Sequence, residues 1–440
     1  MQGKHADDGK VASSPGDVFA EAVGLHQQGH FPEAEALYLQ VLQFLPGHPK
    51  ILGNLSALYQ QAGRLSEAAA CCSKALAETP NDALLHLNLG AIREEQGDIP
   101  AAETCYRRAM ELEPGNAKAL NNMGKILQRQ GRSAEGEKYI RWALQLAPDY
   151  PLALNNLGVI CSAQGRHDEA LVCFLRALEL EPQSINALYN AAGVHNCLNQ
   201  RDEAIVYLRQ LLELRPDHAP ARHMLAALSG ETTEMAPRAY VEETFDAYAE
   251  RFDRHLTEQL RYAVPKVLQE MVSSALGNGQ RVGMTIDLGC GTGLAGEAFR
   301  PLTGQLHGID ISAGMLAKAT AKNIYDRLER EDLAQWLDNC RQPYDLIVAA
   351  DVFVYVGRLE SVFAALERFA APGAFFAFSV EHCDEGQDYL LRPSGRYAHS
   401  PAYIERLAGK HDWSIVERRH QGTRREQGQW IEGDLFLLRR

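Results

Sequence analysis

A strict internal period limits the fold more than any other feature. Pro46, Pro80, Pro114, Pro148, Pro182 and Pro216 are each 34 residues apart. Gly29, Gly63, Gly97, Gly131 and Gly165 keep the same step, with Asn199 in the sixth place. Ala34, Ala68, Ala102, Ala170 and Ala204 recur in phase, and Gly136 fills the fourth slot. Self-similarity at a period of about 20–50 residues marks stacked units that cannot bury their apolar faces alone. Small residues let neighbouring segments approach closely, and a proline stops a helix.

In this frame the phrase Ala-Leu-Asn-Asn-Leu-Gly, followed six residues later by Gln-Gly, resembles the tetratricopeptide repeat. The resemblance implies two antiparallel helices per unit. Six units over about 15–218, closed by a helix at Ala219–Leu228, then form a right-handed solenoid with a concave groove. The repeat domain is expected at 15–229, after a frayed polar tail at 1–14. Asn54, Asn88, Asn122, Asn156 and Asn190 also fall 34 apart, with Ala20 in the first repeat. A carboxamide both donates to and accepts from a peptide unit, so a ladder of five suits an extended protein or peptide partner. The column resembles the asparagine ladder of the O-GlcNAc transferase superhelix, a resemblance confined to the repeats. The plainer reading is that these amides cap or bridge helices.

The second half is organised around Thr285–Phe299. An apolar run ends in Asp287, Gly289, Gly291 and Gly293 follow at alternate positions, and a helix begins. Glycine is required where backbone takes positive φ or lies against a ligand, and a helix start favours an anionic group. A dinucleotide turn needs a further glycine where this chain has Leu294. About twenty residues on, a second apolar stretch ends in Asp310, followed by Ile311 and Met315. Glu331-Asp332-Leu333 and the strand-like Tyr344–Val348 come next.

These four sites, in order, resemble class I S-adenosylmethionine-dependent methyltransferases. The resemblance implies an α/β, Rossmann-like sheet of seven strands ending in an antiparallel hairpin, over 239–440. It implies S-adenosylmethionine as cofactor, with Asp287, the three glycines, Asp310, Ile311, Met315, Asp332 and Leu333 around it. Strands are expected near 282–287, 305–310, 344–350 and 374–381, a weak third strand at 323–325, and the hairpin at 414–420 and 430–438. The stretch 230–238 is polar and is expected to be a linker. Further on, Tyr248-x-x-x-Phe252-Asp253-x-His255-Leu256, the run 351–357 and Gly395–Ser400 resemble bacterial methyltransferases that carry tetratricopeptide repeats. Tyr248, and less so Tyr262, are candidates to cover the cofactor. Asp351, Tyr355, His382 and His399 are the catalytic candidates, and Arg396 and Arg425 the substrate-binding ones. The end of the fourth strand lacks the Pro-Pro-Tyr-type loop used on amino nitrogens, and no Pro-Cys nucleophile occurs.

A net charge of −13 disfavours nucleic acid as partner. The cluster Arg418, Arg419, Arg424 and Arg425 reads as a solvated strand edge. Nine cysteines lack metal spacing and read as reduced thiols; with no leader-like or membrane-spanning run, a cytoplasmic protein without a metal is expected. The expected function is methyl transfer with a repeat array that recruits a protein. The alternative is a repeat scaffold whose cofactor domain is a sensor or inactive.

Overall fold

The computed structural model describes residues 14–249, 252–254, 256, 260–277, 279–384, 386–426 and 428–440, without the side chains of residues 247, 248 and 254. It divides into two compact units, Met1–Leu180 and Glu181–Arg440.

The first unit is five helix pairs. They are Pro15–Gln27 with Phe31–Phe44, Pro49–Gln61 with Leu65–Glu78, Ala83–Glu95 with Ile99–Leu112, Ala117–Arg129 with Ser133–Leu146, and Pro151–Ala163 with His167–Leu180. Each pair turns at a periodic glycine with φ between 74° and 82°, a state that a side chain strains. The periodic alanines are fully buried where the two helices cross. Gly136 departs from alanine for a local reason. A Cβ there would stand 2.5 Å from the Gly124 carbonyl oxygen, so these two helices touch backbone to backbone. Gly90 and Gly158 share the phase of Gly124 and receive the rings of Tyr106 and Phe174.

The second unit opens with the sixth pair, Ile185–Cys197 and Arg201–Leu214, and with the helix Ala219–Ser229. The polar stretch after it, expected as a linker, is stitched to the sheet domain. Ala236 N–H donates to the Tyr355 carbonyl at 2.9 Å, and Gly357 and Arg358 N–H donate to the Glu234 carbonyl at 2.9 and 2.8 Å. Its polarity reflects exposed side chains, while its backbone groups remain free to pair. His223 Nε2 meets the Gly395 carbonyl at 2.9 Å, and Asn196 Nδ2 donates to the Pro393 carbonyl at 3.2 Å. The last repeat and the closing helix therefore pack as part of this unit.

The sheet comprises β1 (Val282–Leu288), β2 (Thr303–Asp310), β3 (Arg327–Arg330), β4 (Tyr344–Ala349), β5 (Ala370–His382), β6 (Tyr389–Leu391), β7 (Tyr397–His399), β8 (Ser414–Glu426) and β9 (Gln429–Arg439). The strands β3-β2-β1-β4-β5 are parallel, and β9 and then β8 continue antiparallel beyond β5. These are the seven expected strands. The short β6–β7 hairpin adds two more and was not expected, nor was the helix Pro401–Lys410. Glu381 pairs with Gly433 of β9 and Ala398 of β7, so β7 occupies the side of β5 that β4 vacates after Ala349. The third strand lies at 327–330 and not at 323–325. Arg-Leu-Glu-Arg on a sheet edge carries no apolar run to mark it. The inner strands are buried on both faces, as parallel strands must be. Ile347, Phe376 and Phe378 meet Phe363, Leu366 and Ile404 on one side, while Leu346, Val348 and Ala377 meet Leu268 and Val272 on the other.

Candidate functional site

Connections leave β1 toward β2 on one side, while β4 lies on the other, and ligands of open α/β sheets bind beyond the strand ends at such a reversal. A cavity of about 650 Å³ opens there. Its two ends differ in chemistry.

One end is built by the glycine turn. Gly289, Gly291 and Gly293 have φ of 62°, 55° and 90°. At Gly289 a Cβ would meet Val352 at 2.9 Å. At Gly291 the nearest atom, on Phe252, is 3.9 Å away, so the missing side chain is cavity space. Asp310 Oδ2 accepts from Gly291 N–H and Oδ1 from Ser312 N–H, both at 2.8 Å. The carboxylate thus fixes two turns, and each oxygen keeps a lone pair for a ligand. Burial raises the pKa of Asp310. Asp332 caps the helix Leu333–Asn339 through Ala334 N–H at 3.0 Å, and Ile311, Glu331, Asp332 and Leu333 complete this wall. Asp287, Gly293 and Met315 stand behind the lining. Asp287 is 2% exposed, and burial pushes its carboxyl up to about 7. Tyr325 hydroxyl donates to its Oδ2 at 2.6 Å, while Oδ1 has no hydrogen-bond partner.

The other end is an ion network drawn from four strands or strand ends. Asp351, just past β4, takes φ of 63°, and its N–H donates to Ser379 Oγ at 2.9 Å. Arg424 of β8 is 1% exposed and spends all three nitrogens. Nη1 reaches both Asp351 oxygens at 3.1 and 3.3 Å, Nη2 binds Glu381, and Nε binds Glu426 at 2.7 Å. Arg396, just before β7, donates from Nη1 to Glu426 Oε1 at 2.5 Å. Burial works to raise the Glu426 pKa, but Arg396 and Arg424 more than offset it and hold it low. Asp351, Tyr355, Arg396, Arg424 and Glu426 face the cavity, as do Tyr262, Phe245 and Phe252.

Three expected participants stand elsewhere. His399 is fully buried, its Nε2 facing the Val356 and Gly357 carbonyls at 2.9 Å, and burial lowers its pKa to about 4. It braces the turn that carries Tyr355. His382 Nδ1 lies 2.6 Å from Asp434 Oδ2, beside His420 Nδ1 at 3.2 Å from Oδ1. Among the described residues these three alone bring possible metal ligands together, within 4.8 Å, but Arg418 already donates to Asp434 Oδ1 at 3.0 Å. Arg425 lies over the Trp430 ring at 5.6 Å and is replaced at the cavity by its neighbour Arg424. A register shift between Gly422 and Arg424 breaks the alternation and turns Arg424 inward, which corrects the solvated-edge reading. That bulge carries no sequence mark except the glycine. The side chain of Tyr248 lies outside the described residues. In the repeats, Asn121 Nδ2 donates to Asn122 Oδ1 at 3.2 Å, and Asn156 Nδ2 donates to Asn121 Oδ1 at 2.9 Å. Two amides of the column are therefore tied together by a buried neighbour that the periodicity did not single out.

Comparison with known proteins matches residues 286–376 to a methyltransferase domain model, and residues 25–91, 92–131, 115–183 and 185–218 to tetratricopeptide repeat models. Human methyltransferase-like protein 27 is 36% identical over 92 residues, covering 21% of this chain and 37% of that protein. Trans-aconitate 2-methyltransferase of Pseudomonas paraeruginosa is 36% identical over 107 residues, covering 24% and 38%. The chain thus spans well under half the length of these two relatives. The solved structure of Pseudomonas aeruginosa pilF aligns with a TM-score of 0.43 and 19% identity, over 48% of this chain and 96% of that one. The chain is a tetratricopeptide-repeat protein that carries a methyltransferase domain.

Proposed function

We propose that the protein is an S-adenosylmethionine-dependent methyltransferase whose repeats recruit a protein, as substrate or as positioning partner. The observation that carries the reading is the open Cβ position at Gly291 beside the Asp310 carboxylate, on a cavity that continues to a second, differently built end. The residues fit the cofactor. Asp310 has lone pairs for ribose hydroxyls, Asp332 and Leu333 flank the place of the base, and the turn leaves backbone accessible. When bound, S-adenosylmethionine supplies a methyl group on a positively charged sulfur. The chain's own part is to position an acceptor and to exclude water, with Phe245, Phe252 and Tyr262 forming apolar walls. Incubation with cell extract should release the demethylated cofactor, and Gly291→Val should stop it. Release at equal rates from both proteins would refute the assignment.

For the repeats, the periodic asparagines support docking of an extended chain. Among the described residues the side chains of Asn54 and Asn88 make no hydrogen bond, unlike those of Asn122 and Asn156. Replacing Asn54 and Asn88 with alanine should release a bound partner while melting stays unchanged; a lowered melting point with the partner retained would assign them to helix packing. Among the described residues no helix is long and apolar enough to cross a membrane. All nine cysteines are unpaired, which supports a cytoplasmic setting.

A further inference from the structure

We infer that the methyl acceptor is a carboxylic acid, gripped by Arg396 and methylated on its carboxylate oxygen; this rests on the cofactor reading above. Two guanidinium groups face the far end of the cavity, and they are not equivalent. Arg424 has every nitrogen engaged by Asp351, Glu381 and Glu426 and is 1% exposed, so it organises the wall rather than meeting a ligand. Arg396 is held through Nη1 alone, and its side chain keeps 25% of its surface open on the cavity. None of its nitrogens is a buried orphan. A guanidinium anchored at one corner, with its other donors accessible, matches a carboxylate.

The charges of the network at this end balance. Arg392 reaches Glu381 at 3.7 Å, so Asp351, Glu381 and Glu426 face Arg392, Arg396 and Arg424 in equal number. The same pairing engages the carboxylates of this end. Asp351 and Glu426 are committed to guanidinium groups, no histidine or lysine occurs among the described lining residues, and the other lining acids, Asp310, Glu331 and Asp332, stand at the glycine end. An amine or thiol, with pKa of about 10.4 or 8.5, arrives protonated and needs a base; a carboxylic acid of pKa near 4 arrives ionised. In the step, a carboxylate oxygen lone pair forms the O–CH₃ bond while the S–CH₃ bond breaks and its pair returns to sulfur. The negative charge of the carboxylate and the positive charge of the sulfonium vanish together, and no proton moves. The products are a methyl ester and a neutral thioether.

The first test uses the full chain loaded with the demethylated cofactor, and ligand-detected NMR of phenylacetate, phenylacetamide and phenethylamine. The acid should bind roughly tenfold or more tightly than the amide and amine, and Arg396→Gln should remove that preference. Equal binding, a preference for the amine, or a preference that survives Arg396→Gln would overturn the proposal. The second test gives the enzyme methyl-tritiated S-adenosylmethionine and a small-molecule extract, then treats the products with alkali. Esters release volatile labelled methanol. Alkali-stable label, or no label from protein that binds the cofactor, would overturn the carboxylate acceptor and leave the cofactor assignment standing. Failure to bind the cofactor would instead strike the earlier reading.

Discussion

The two ends of the cavity solve opposite problems. The glycine end removes side chains, so that backbone and one aspartate meet a ligand. The far end crowds charged side chains together, so that Arg424 is buried while Arg396, Asp351 and Glu426 stay partly open around it. The first centres on one continuous turn, with Asp310 fixed against it; the second is assembled from 351, 381, 396, 424 and 426. The contrast teaches that a site can be local where backbone shape matters and dispersed where charge balance matters.

The largest effect should come from breaking the charge balance. Arg424→Met strands Asp351 and takes the nearest guanidinium contact from Glu381, and removing one partner of a buried ion cluster costs about 3–5 kcal/mol. Arg425→Met, one residue away with its guanidinium over Trp430 and no ion pair among the described residues, should cost less than about 1 kcal/mol. Urea unfolding of both variants measures the difference, and similar losses would mean the network is not coupled as described.

At the glycine end the effect should fall on binding rather than folding. Asp310→Ala should weaken cofactor binding by roughly 1.5–3 kcal/mol, since a charged acceptor is lost. The same carboxylate also ties Gly291 and Ser312, so a loss of stability beside the loss of affinity is expected. Unchanged affinity would show that Asp310 serves the turn alone.

The smallest effect is a pH slope. Asp287 has a folded pKa of about 7 against an ordinary 3.8, because burial favours its neutral form. Its contribution is therefore full below about pH 4 and is lost as pH rises through about 7. His399 runs the other way, its contribution being lost as pH falls from 6.5 toward about 4. In the cofactor-free protein Asp287→Asn should leave the histidine unopposed, so stability should drop more steeply on acidification than in the parent. Parallel profiles would show that Asp287 ionises freely.

The legibility of each region follows from the same contrast. The repeats announce themselves because every unit uses the same small residues at the same contacts, down to Gly136 against Gly124. The glycine turn is readable because its function needs contiguous backbone. Arg424 was unreadable because strand alternation places it outside, and only the bulge after Gly422 turns it in. His382 and His399 looked catalytic by type, yet each is spent on a local partner, Asp434 or the 356–357 carbonyls. The polar stretch 230–238 looked like a linker because composition reports side-chain solvation and says nothing of backbone pairing.

Calorimetric titration of S-adenosylmethionine into the parent protein, Gly291→Val and Arg396→Gln tests the two-ended cavity most directly. The account predicts saturable one-site binding to the parent, a loss of at least about 100-fold in Gly291→Val because the side chain fills ligand space, and affinity within about twofold of the parent in Arg396→Gln. No binding to the parent, or equal binding to Gly291→Val, would contradict it.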